Sequence, residues 1–293
     1  MKAGGFLVAG LAVLFSLVWS SAFIAGKIAL ADFDPASLLT ARFALSAVLL
    51  APFAAGAKGR EAMRMGVALG ALNNAAYLGL AFAALALVRP MIVVAIVSAA
   101  PFVTAALAAS LGLERVAPRQ LLGALIGLAG VLMVIGFDPR EARLEGVALA
   151  AAGTLAFSAG TLLYRARGRG LSPTALNFWQ SLTGAAALAP FAMAAAHPRA
   201  WPSATGAAAV IYLAVAVTLG GMAMWFALIR LAGAARASAA HLMNPAFAAV
   251  LAALFLGAPL RAQDLVGAAV IAAGLALATA PFAAQESLRP SAR

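Results

Sequence analysis

Long apolar stretches alternate with short polar segments along the whole chain. Nine such stretches carry no Asp, Glu, Lys or Arg, and a tenth is interrupted only by Arg42. A hydrocarbon core of about 30 Å needs a helix of about 20 mostly apolar residues, so each stretch predicts one membrane-spanning helix. They cover residues 3–26, 35–57, 65–88, 90–113, 120–137, 146–164, 170–198, 200–229, 237–260 and 265–285. The pattern predicts an all-α polytopic membrane protein with ten transmembrane helices, and it leaves no room for a soluble catalytic domain.

Composition supports lipid as the main solvent of this chain. Hydrophobic residues make up 65% and charged residues 10%, against roughly 45–50% and about 25% in soluble domains. The absence of cysteine excludes disulfides and Cys-ligated metals, and we predict no metal or cofactor. Lys2, the first apolar run and Ala29-Leu30-Ala31 resemble a signal peptide. That run exceeds an h-region of about 7–15 residues and more spans follow, so we interpret it as the first helix.

The distribution of basic residues predicts the orientation in the membrane. Alternate loops place 13 Lys and Arg on one side and 5 on the other, with Lys27 and Arg42 inside helices. Cytoplasmic loops carry the excess of Lys and Arg, so both termini are predicted to be cytoplasmic.

The two halves of the chain resemble each other, which predicts an internal repeat. At an offset of 138 residues, Asp34-Pro35 aligns with Ser172-Pro173. At an offset of 144, Pro101 aligns with Pro245, and Gly123 and Gly130 align with Gly267 and Gly274. We therefore predict two five-helix repeats, residues 1–137 and 138–293. An odd number of helices per repeat inverts the second one, as in many carriers that work by alternating access.

Several segments are similar to those of one transporter family. Val18-Trp-Ser-Ser-Ala-Phe lies in the first helix, Pro35 precedes Arg42, and Ser98-Ala-Ala-Pro-Phe-Val-Thr104 is followed by Leu113-Glu-Arg115 and a Gly-rich helix. Over nearly its whole length the chain resembles the ten-helix, EamA-type members of the drug/metabolite transporter superfamily. The second half departs from the pattern, with Ala258-Pro259 in place of Glu-Arg. The resemblance implies export of amino acids or similar metabolites across a bacterial inner membrane, with YddG-type exporters of aromatic and other amino acids as the relatives to consider first.

Polar and aromatic side chains at membrane depth are the candidates for a substrate site, because such groups are costly there. Asn73 and Tyr77, four residues apart, share one helix face, with Asn74 beside them. Amides and the phenol would bind a zwitterion, and Trp19, Tyr77, Trp179 and Trp225 would form an apolar wall. The alternatives are hydrogen bonds between helices and, for Trp179 near the outer end of its helix, the aromatic belt. The complete set of candidates is Trp19, Asn73, Asn74, Tyr77, Ser98, Trp179, Gln180, Trp225, His241 and Asn244.

Two prolines and two basic residues inside predicted helices complete the candidates. Pro101 and Pro245 are expected in helix interiors, where each would free a carbonyl and bend a gating or site-forming helix. Lys27 and Arg42 are expected to extend to the outer surface or to pair with Asp32 or Asp34; attraction of a substrate carboxylate is the alternative.

These residues favour a carrier over other classes of membrane protein. No Asp or Glu lies at membrane depth, and His241 is the only imidazole there, so we predict no enzyme activity. Transport is expected to be facilitated diffusion or weak proton coupling through His241. A neutral amino acid suits the amides best, with lipophilic or cationic drugs, other metabolites or a channel-like pore as alternatives. The predicted partners are a small-molecule substrate and membrane lipid, with no nucleic acid, for a monomer or a dimer.

Overall fold

Helices account for nearly all of the protein. The structure is a computed structural model that describes residues 2–54, 59–112, 118–136, 143–168, 170–195, 202–232 and 240–279, and these contain no β-strand. We number the helices in chain order as α1 Lys2–Ala29, α2 Pro35–Leu50, α3 Arg60–Leu87, α4 Pro90–Ser110, α5 Pro118–Ile135, α6 Leu144–Arg167, α7 Pro173–Ala194, α8 204–232, α9 Asn244–Leu256 and α10 Ala262–Thr279. The prediction of an all-α fold is confirmed.

The helices expose apolar side chains on the outside, as a protein in lipid does. Six described segments are long and apolar enough to cross a membrane: Phe6–Ala29, Pro35–Ala54, Arg60–Leu87, Pro90–Ser110, Leu144–Arg167 and Ala204–Trp225. Helices α5, α9 and α10 are apolar but shorter. One face of α5 exposes Leu121, Leu125, Leu128 and Leu132, each by more than half. An apolar surface of this extent indicates a polytopic membrane protein; the count of ten crossings stays a prediction.

Proline and a capping side chain start equivalent helices in the two halves. Asp34 accepts hydrogen bonds from the backbone N–H groups of Ala36 and Ser37, and Pro35 is the first residue of α2. Ser172 accepts from the N–H of Ala175 at the start of α7, which begins with Pro173. A cap followed by proline defines a helix start because proline lacks the N–H that would otherwise need a partner.

Irregularities in the helices also recur at the repeat spacing. The middle of α3, Gly70–Leu78, and the middle of α8, Leu213–Gly221, are π-helical. Helix α4 breaks at Ala99, and α9 begins after Met243, 144 residues later, with similar backbone angles at both residues. Pro101 lies inside α4, in the first turn of its second segment, where no N–H is needed. Pro245 lies in the first turn of α9, so the expectation of a helix-interior position is wrong for this residue. The interruption of both helices is as expected.

Packing between the helices follows a pseudo-two-fold pattern. Helix α1 packs on α8 and α9, and correspondingly α6 packs on α3 and α4; α2 packs on α7. Helices α5 and α10 pack with their backbones close together: a Cβ added at Gly123 would lie 2.5 Å from the Gly274 carbonyl oxygen, and one at Gly130 would lie 2.7 Å from the Gly267 oxygen. Increasing residue numbers on α5 meet decreasing numbers on α10, so the two helices are antiparallel. One apolar core contains residues of all ten helices.

Candidate functional site

Buried and half-buried polar side chains gather where α2, α3, α7 and α8 meet. Those of α3 and α8 lie in the two π-helical segments, which in proteins often mark functional positions. This group, which we call the polar layer, consists of Arg42, Asn73, Asn74, Asn177, Gln180 and Thr218.

Thr218 is the centre of the first hydrogen-bonded set in the polar layer. Its hydroxyl accepts from Arg42 Nε at 3.0 Å and donates to the Leu213 carbonyl at 3.0 Å. The side-chain N–H of Asn177 donates to the Thr218 carbonyl at 3.2 Å. The π-helical turn of α8 is thereby joined to α2 and α7 by side chains that are all less than a tenth exposed.

Asn73 and Gln180 form the second set, between α3 and α7. Asn73 Nδ2 donates to Gln180 Oε1 at 3.3 Å. Close packing surrounds this pair, because a Cβ at Gly160 would clash with the Asn73 side chain and one at Gly184 would lie 2.6 Å from Asn74 Cβ. Glycine at these positions allows α6 and α7 to approach α3, and a side chain at Gly160 would displace the Asn73 amide.

The two sets occupy equivalent places in the two halves. Arg42 aligns with Gln180 at the offset of 138, and Thr218 aligns with Asn74 at the offset of 144. The contact of Arg42 with α8 thus corresponds to the contact of Gln180 with α3. The main chemical difference is that the α2 position carries a guanidinium and the α7 position a neutral amide.

Arg42 differs most from its sequence-based interpretation. It is 4% exposed, and its Cζ lies 5.4 Å from the Phe43 ring centroid and 6.0 Å from that of Phe82. The expectation that it extends to the outer surface is wrong, because Thr218 and the two rings offer partners inside the protein. Lys27 likewise donates to the Leu85 carbonyl at 2.7 Å, near the C-terminal end of α3, where the helix dipole favours a cation.

The predicted aromatic wall exists only in part. Trp19 and Trp225 both pack on the buried Phe15, with ring centroids 5.5 and 5.3 Å from it. Tyr77 is 3% exposed and packs on Phe157 of α6 at 4.8 Å. The structure therefore brings together two of the four predicted side chains, on α1 and α8.

Trp179 lies elsewhere. A Cβ at Gly66, near the start of α3, would meet Trp179, which also packs on Phe178 at 5.2 Å. Trp179 lies in the second turn of α7, after the end of α6 that contains Arg165 and Arg167. The charge distribution assigns this basic end to the cytoplasm, so a place near the outer end of the helix is incompatible with the predicted orientation.

Asn244 and three serines make hydrogen bonds at the helix interruptions. Ser16 donates to Asn244 Oδ1 at 2.6 Å, and Ser20 donates to the Asn244 carbonyl at 3.1 Å. In the other half, Ser158 donates to the Ala100 carbonyl at 3.2 Å. The carbonyls of Asn244 and Ala100 each directly precede a proline. A serine on α1 or α6 therefore donates a hydrogen bond to the backbone at each helix interruption.

The remaining candidates lie close to these breaks. Ser98 ends the first segment of α4 and is partly exposed. Pro245 is buried, whereas Pro101 is exposed. His241 belongs to the turn Ala240–Met243, and its side chain lies outside the described part of the structure. Within the described ranges, no three His, Cys, Asp or Glu side chains come together as metal ligands would.

Three members of the polar layer, Arg42, Asn177 and Thr218, are absent from the set of sequence candidates. Thr218 was not a candidate, since an isolated threonine in an apolar helix usually bonds to its own backbone. Arg42 was assigned to the surface. A signal for Thr218 was present in its alignment with Asn74, and one for Arg42 in its alignment with Gln180.

The fold and the polar layer define a multi-pass membrane protein with a polar site between its helices. The chain belongs to the EamA-like transporter family, which matches residues 6–136 and again residues 144–280. It is therefore a membrane transporter of small metabolites, a class that is not enzymatic.

Two individual proteins and one solved structure are similar to this chain. Protein PecM of Dickeya dadantii (strain 3937) is 25% identical over 209 residues, 71% of this chain and 70% of that protein. Uncharacterized protein PA1977 of Pseudomonas aeruginosa is 30% identical over 179 residues, 61% of each chain. A solved structure titled "Crystal structure of protein" superposes with a TM-score of 0.65 at 22% identity, over 93% of this chain and 96% of that one, which shows the fold alone.

Proposed function

We propose that this protein exports neutral amino acids, or metabolites of the same zwitterionic chemistry, across a bacterial inner membrane by alternating access, with both termini in the cytoplasm. The observation that carries the proposal is the polar layer. Its amide, hydroxyl and guanidinium groups lie buried among otherwise apolar helices, where polar side chains are costly and mark a substrate path in many transporters.

The proposed alternating access requires two halves with opposite orientation, and two observations support this arrangement. The family matches the chain twice, and the pseudo-two-fold packing relates α5 to α10 and α2 to α7. Since α5 and α10 are antiparallel, a two-fold axis that relates them runs perpendicular to both helices. If these helices cross the bilayer, the axis lies in the membrane plane, which is the symmetry that gives carriers two similar states.

A cavity at the predicted cytoplasmic end of α3 and α6 is consistent with export. A cavity of about 490 Å³ opens between α3 and α6, lined by Glu61, Arg64, Met65, Ala68, Leu163, Ala166 and Arg167. It lies at the basic end of both helices, which the charge distribution assigns to the cytoplasm. Along α3, Asn73 follows Ala68 by five residues, or about 7.5 Å of helix.

The chemistry of the polar layer suits a zwitterion better than a cation. Its groups are neutral except for the buried guanidinium of Arg42, which would repel a cationic drug. A sugar phosphate or other polyanion would need several Arg or Lys side chains. The layer contains no carboxylate, so it offers no relay for strong proton coupling, and we propose facilitated diffusion, with His241 as the one group for weak coupling.

Counterflow in proteoliposomes tests the transport function. Vesicles loaded with an unlabelled neutral amino acid are expected to accumulate the labelled compound transiently and with saturation, whereas nucleosides and cationic drugs give weak signals. Empty vesicles serve as the control. Flux that rises linearly with substrate concentration would indicate a pore, and signals confined to cationic drugs would contradict the substrate class.

Proton coupling has its own experiment. An imposed proton gradient is expected to leave amino-acid flux almost unchanged. If the gradient drives uphill flux and His241→Ala retains that driving, coupling through His241 is refuted.

A further inference from the structure

We propose that the guanidinium of Arg42 binds the carboxylate of the transported molecule and so restricts transport to substrates that carry one. This assignment rests on the proposed transport function and names the group by which the polar layer recognises its substrate.

Arg42 is held in a fixed position with part of its hydrogen-bonding capacity unused. Thr218 accepts from Nε, and the ring centroids of Phe43 and Phe82 lie 5.4 and 6.0 Å from Cζ. Nη1 is buried and has no hydrogen-bond partner. A planar guanidinium fixed through Nε presents its terminal nitrogens as a fork, whose geometry matches a carboxylate.

The chain supplies no carboxylate to neutralise this charge among its described residues. Asp34, the acidic residue nearest in sequence, accepts from the backbone at the start of α2, two turns away from Arg42. Asp32 accepts from the N–H of Ser203 at 3.1 Å and from its hydroxyl. Asp264 binds Arg89. Of the acidic residues that the structure describes, Glu61, Glu145 and Asp264 lie in the first turns of α3, α6 and α10.

An uncompensated buried cation is unfavourable, and a bound anion relieves it. Leaving a buried charge without its partner is strongly destabilising in proteins, and rings compensate for it only in part. A substrate carboxylate would add the missing opposite charge in a medium of low polarity, where the interaction is strong. One positive side chain matches one negative group, so the proposed ligands are monocarboxylates, with the zwitterionic amino acids among them.

The position that aligns with Arg42 in the second half of the chain shows which neutral side chain can replace it. Gln180 stands at the position equivalent to Arg42 and makes a neutral contact with Asn73. Glutamine is therefore compatible with this type of helix contact, which makes Arg42→Gln a substitution that removes the charge and keeps a polar side chain of similar length.

The experiment compares L-phenylalanine with L-phenylalaninamide, which has a carboxamide in place of the carboxylate. In counterflow, the wild-type protein is expected to show a KM for the acid about 10- to 100-fold below that for the amide. This factor corresponds to the free energy of one charge-assisted hydrogen bond. Arg42→Gln is expected to raise the KM for the acid by about the same factor and to change that for the amide by less than twofold. Arg42→Lys keeps the charge and should keep a preference for the acid.

Stability and a matched variant separate recognition from folding. The acid should raise the Tm of the wild-type protein and of Arg42→Lys in detergent, but not that of Arg42→Gln. Val48 lies on the same helix as Arg42 but is 69% exposed on the surface of the protein. Val48→Ala should therefore keep the KM values and the Tm response of the wild-type protein.

Distinct outcomes test the two claims. Equal transport of acid and amide by the wild-type protein would overturn the role of Arg42 while leaving the proposed function in place, and this result needs no folded variant. Transport of neither compound, nor of any neutral amino acid, would instead refute the proposed function. An unchanged KM for the acid in Arg42→Gln would also overturn the assignment.

Discussion

Disruption of the ion pair between Arg89 and Asp264 is expected to open the outer end of the protein. Arg89 Nη1 lies 3.0 and 3.3 Å from the two Asp264 oxygens, and Nη2 donates to the Val134 carbonyl at 3.2 Å. These contacts join the turn between α3 and α4 to the start of α10, at the end that the charge distribution places outside. Asp32 and Ser203 make a second contact between the halves at this end. If one half rocks against the other, both contacts break when the site opens outwards.

The expected size of this effect follows from how deeply the ion pair between Arg89 and Asp264 is buried. The side chains of Arg89 and Asp264 are 22% and 6% exposed. Asp264→Asn removes the charge from the more buried partner and leaves the arginine able to reach water. A hydrogen bond to a charged group contributes about 1.5–3 kcal/mol, less than the about 3–5 kcal/mol lost when a fully buried pair is broken. The population of the outward-open state should therefore rise by about 10- to 100-fold.

Accessibility of a single cysteine measures this shift, and the natural chain has no cysteine of its own. Val210→Cys places the probe on α8, six residues into the helix at a position that is 8% exposed. Labelling by a membrane-impermeant maleimide from outside should accelerate by about 10- to 100-fold when Asp264→Asn is added. Ala204→Cys, at the exposed start of α8, should label at the same rate in both backgrounds.

A double-mutant cycle tests whether the pair itself is responsible. Arg89→Gln and Asp264→Asn should each accelerate labelling, and together they should have little more effect than either alone, because they remove the same interaction. An unchanged labelling rate in Asp264→Asn would refute the assignment of this ion pair to an outer gate.

Two further predictions concern packing and the helix interruptions. Gly123→Val should lower stability by about 1–3 kcal/mol, since its Cβ would press on the Gly274 backbone, which cannot move aside as a side chain can. Thermal unfolding in detergent measures this, with Gly10→Ala, which has nothing within 4 Å, as control; equal Tm values would contradict the close contact. Ser20→Ala and Ser158→Ala should each cost about 1 kcal/mol in the same assay because they bind equivalent carbonyls. An effect at only one of the two would argue against equivalence.

The helical architecture was predictable because the membrane imposes it residue by residue. A long stretch without charge has few stable conformations in lipid other than a helix, and a cap followed by proline, as at Asp34-Pro35 and Ser172-Pro173, defines where two helices begin. The interruptions near Pro101 and Pro245 were also predictable from proline chemistry. Their position at the start of a helical segment was not, because it depends on the turn that each preceding residue adopts.

Side-chain partners were less predictable, because they depend on contacts between distant parts of the chain. Arg42 and Thr218 are separated by 176 residues, and nothing near Arg42 in sequence indicates that a hydroxyl meets it. Hydropathy alone favours the surface for any arginine. The π-helical segments that carry Asn73 and Thr218 also have no local sequence signature, although their positions 143 residues apart agree with the repeat.

Opposite insertion of the two halves is the claim on which the transport mechanism depends, and single-cysteine labelling from each side of the membrane tests it most directly. Leu111→Cys follows α4 and Leu260→Cys follows α9, the equivalent helix of the second half, and both positions are exposed. An impermeant maleimide is expected to label Leu260→Cys from the outside in intact cells and Leu111→Cys only after the inner face is exposed in inverted vesicles. Labelling of both cysteines from the same side would contradict the inverted arrangement.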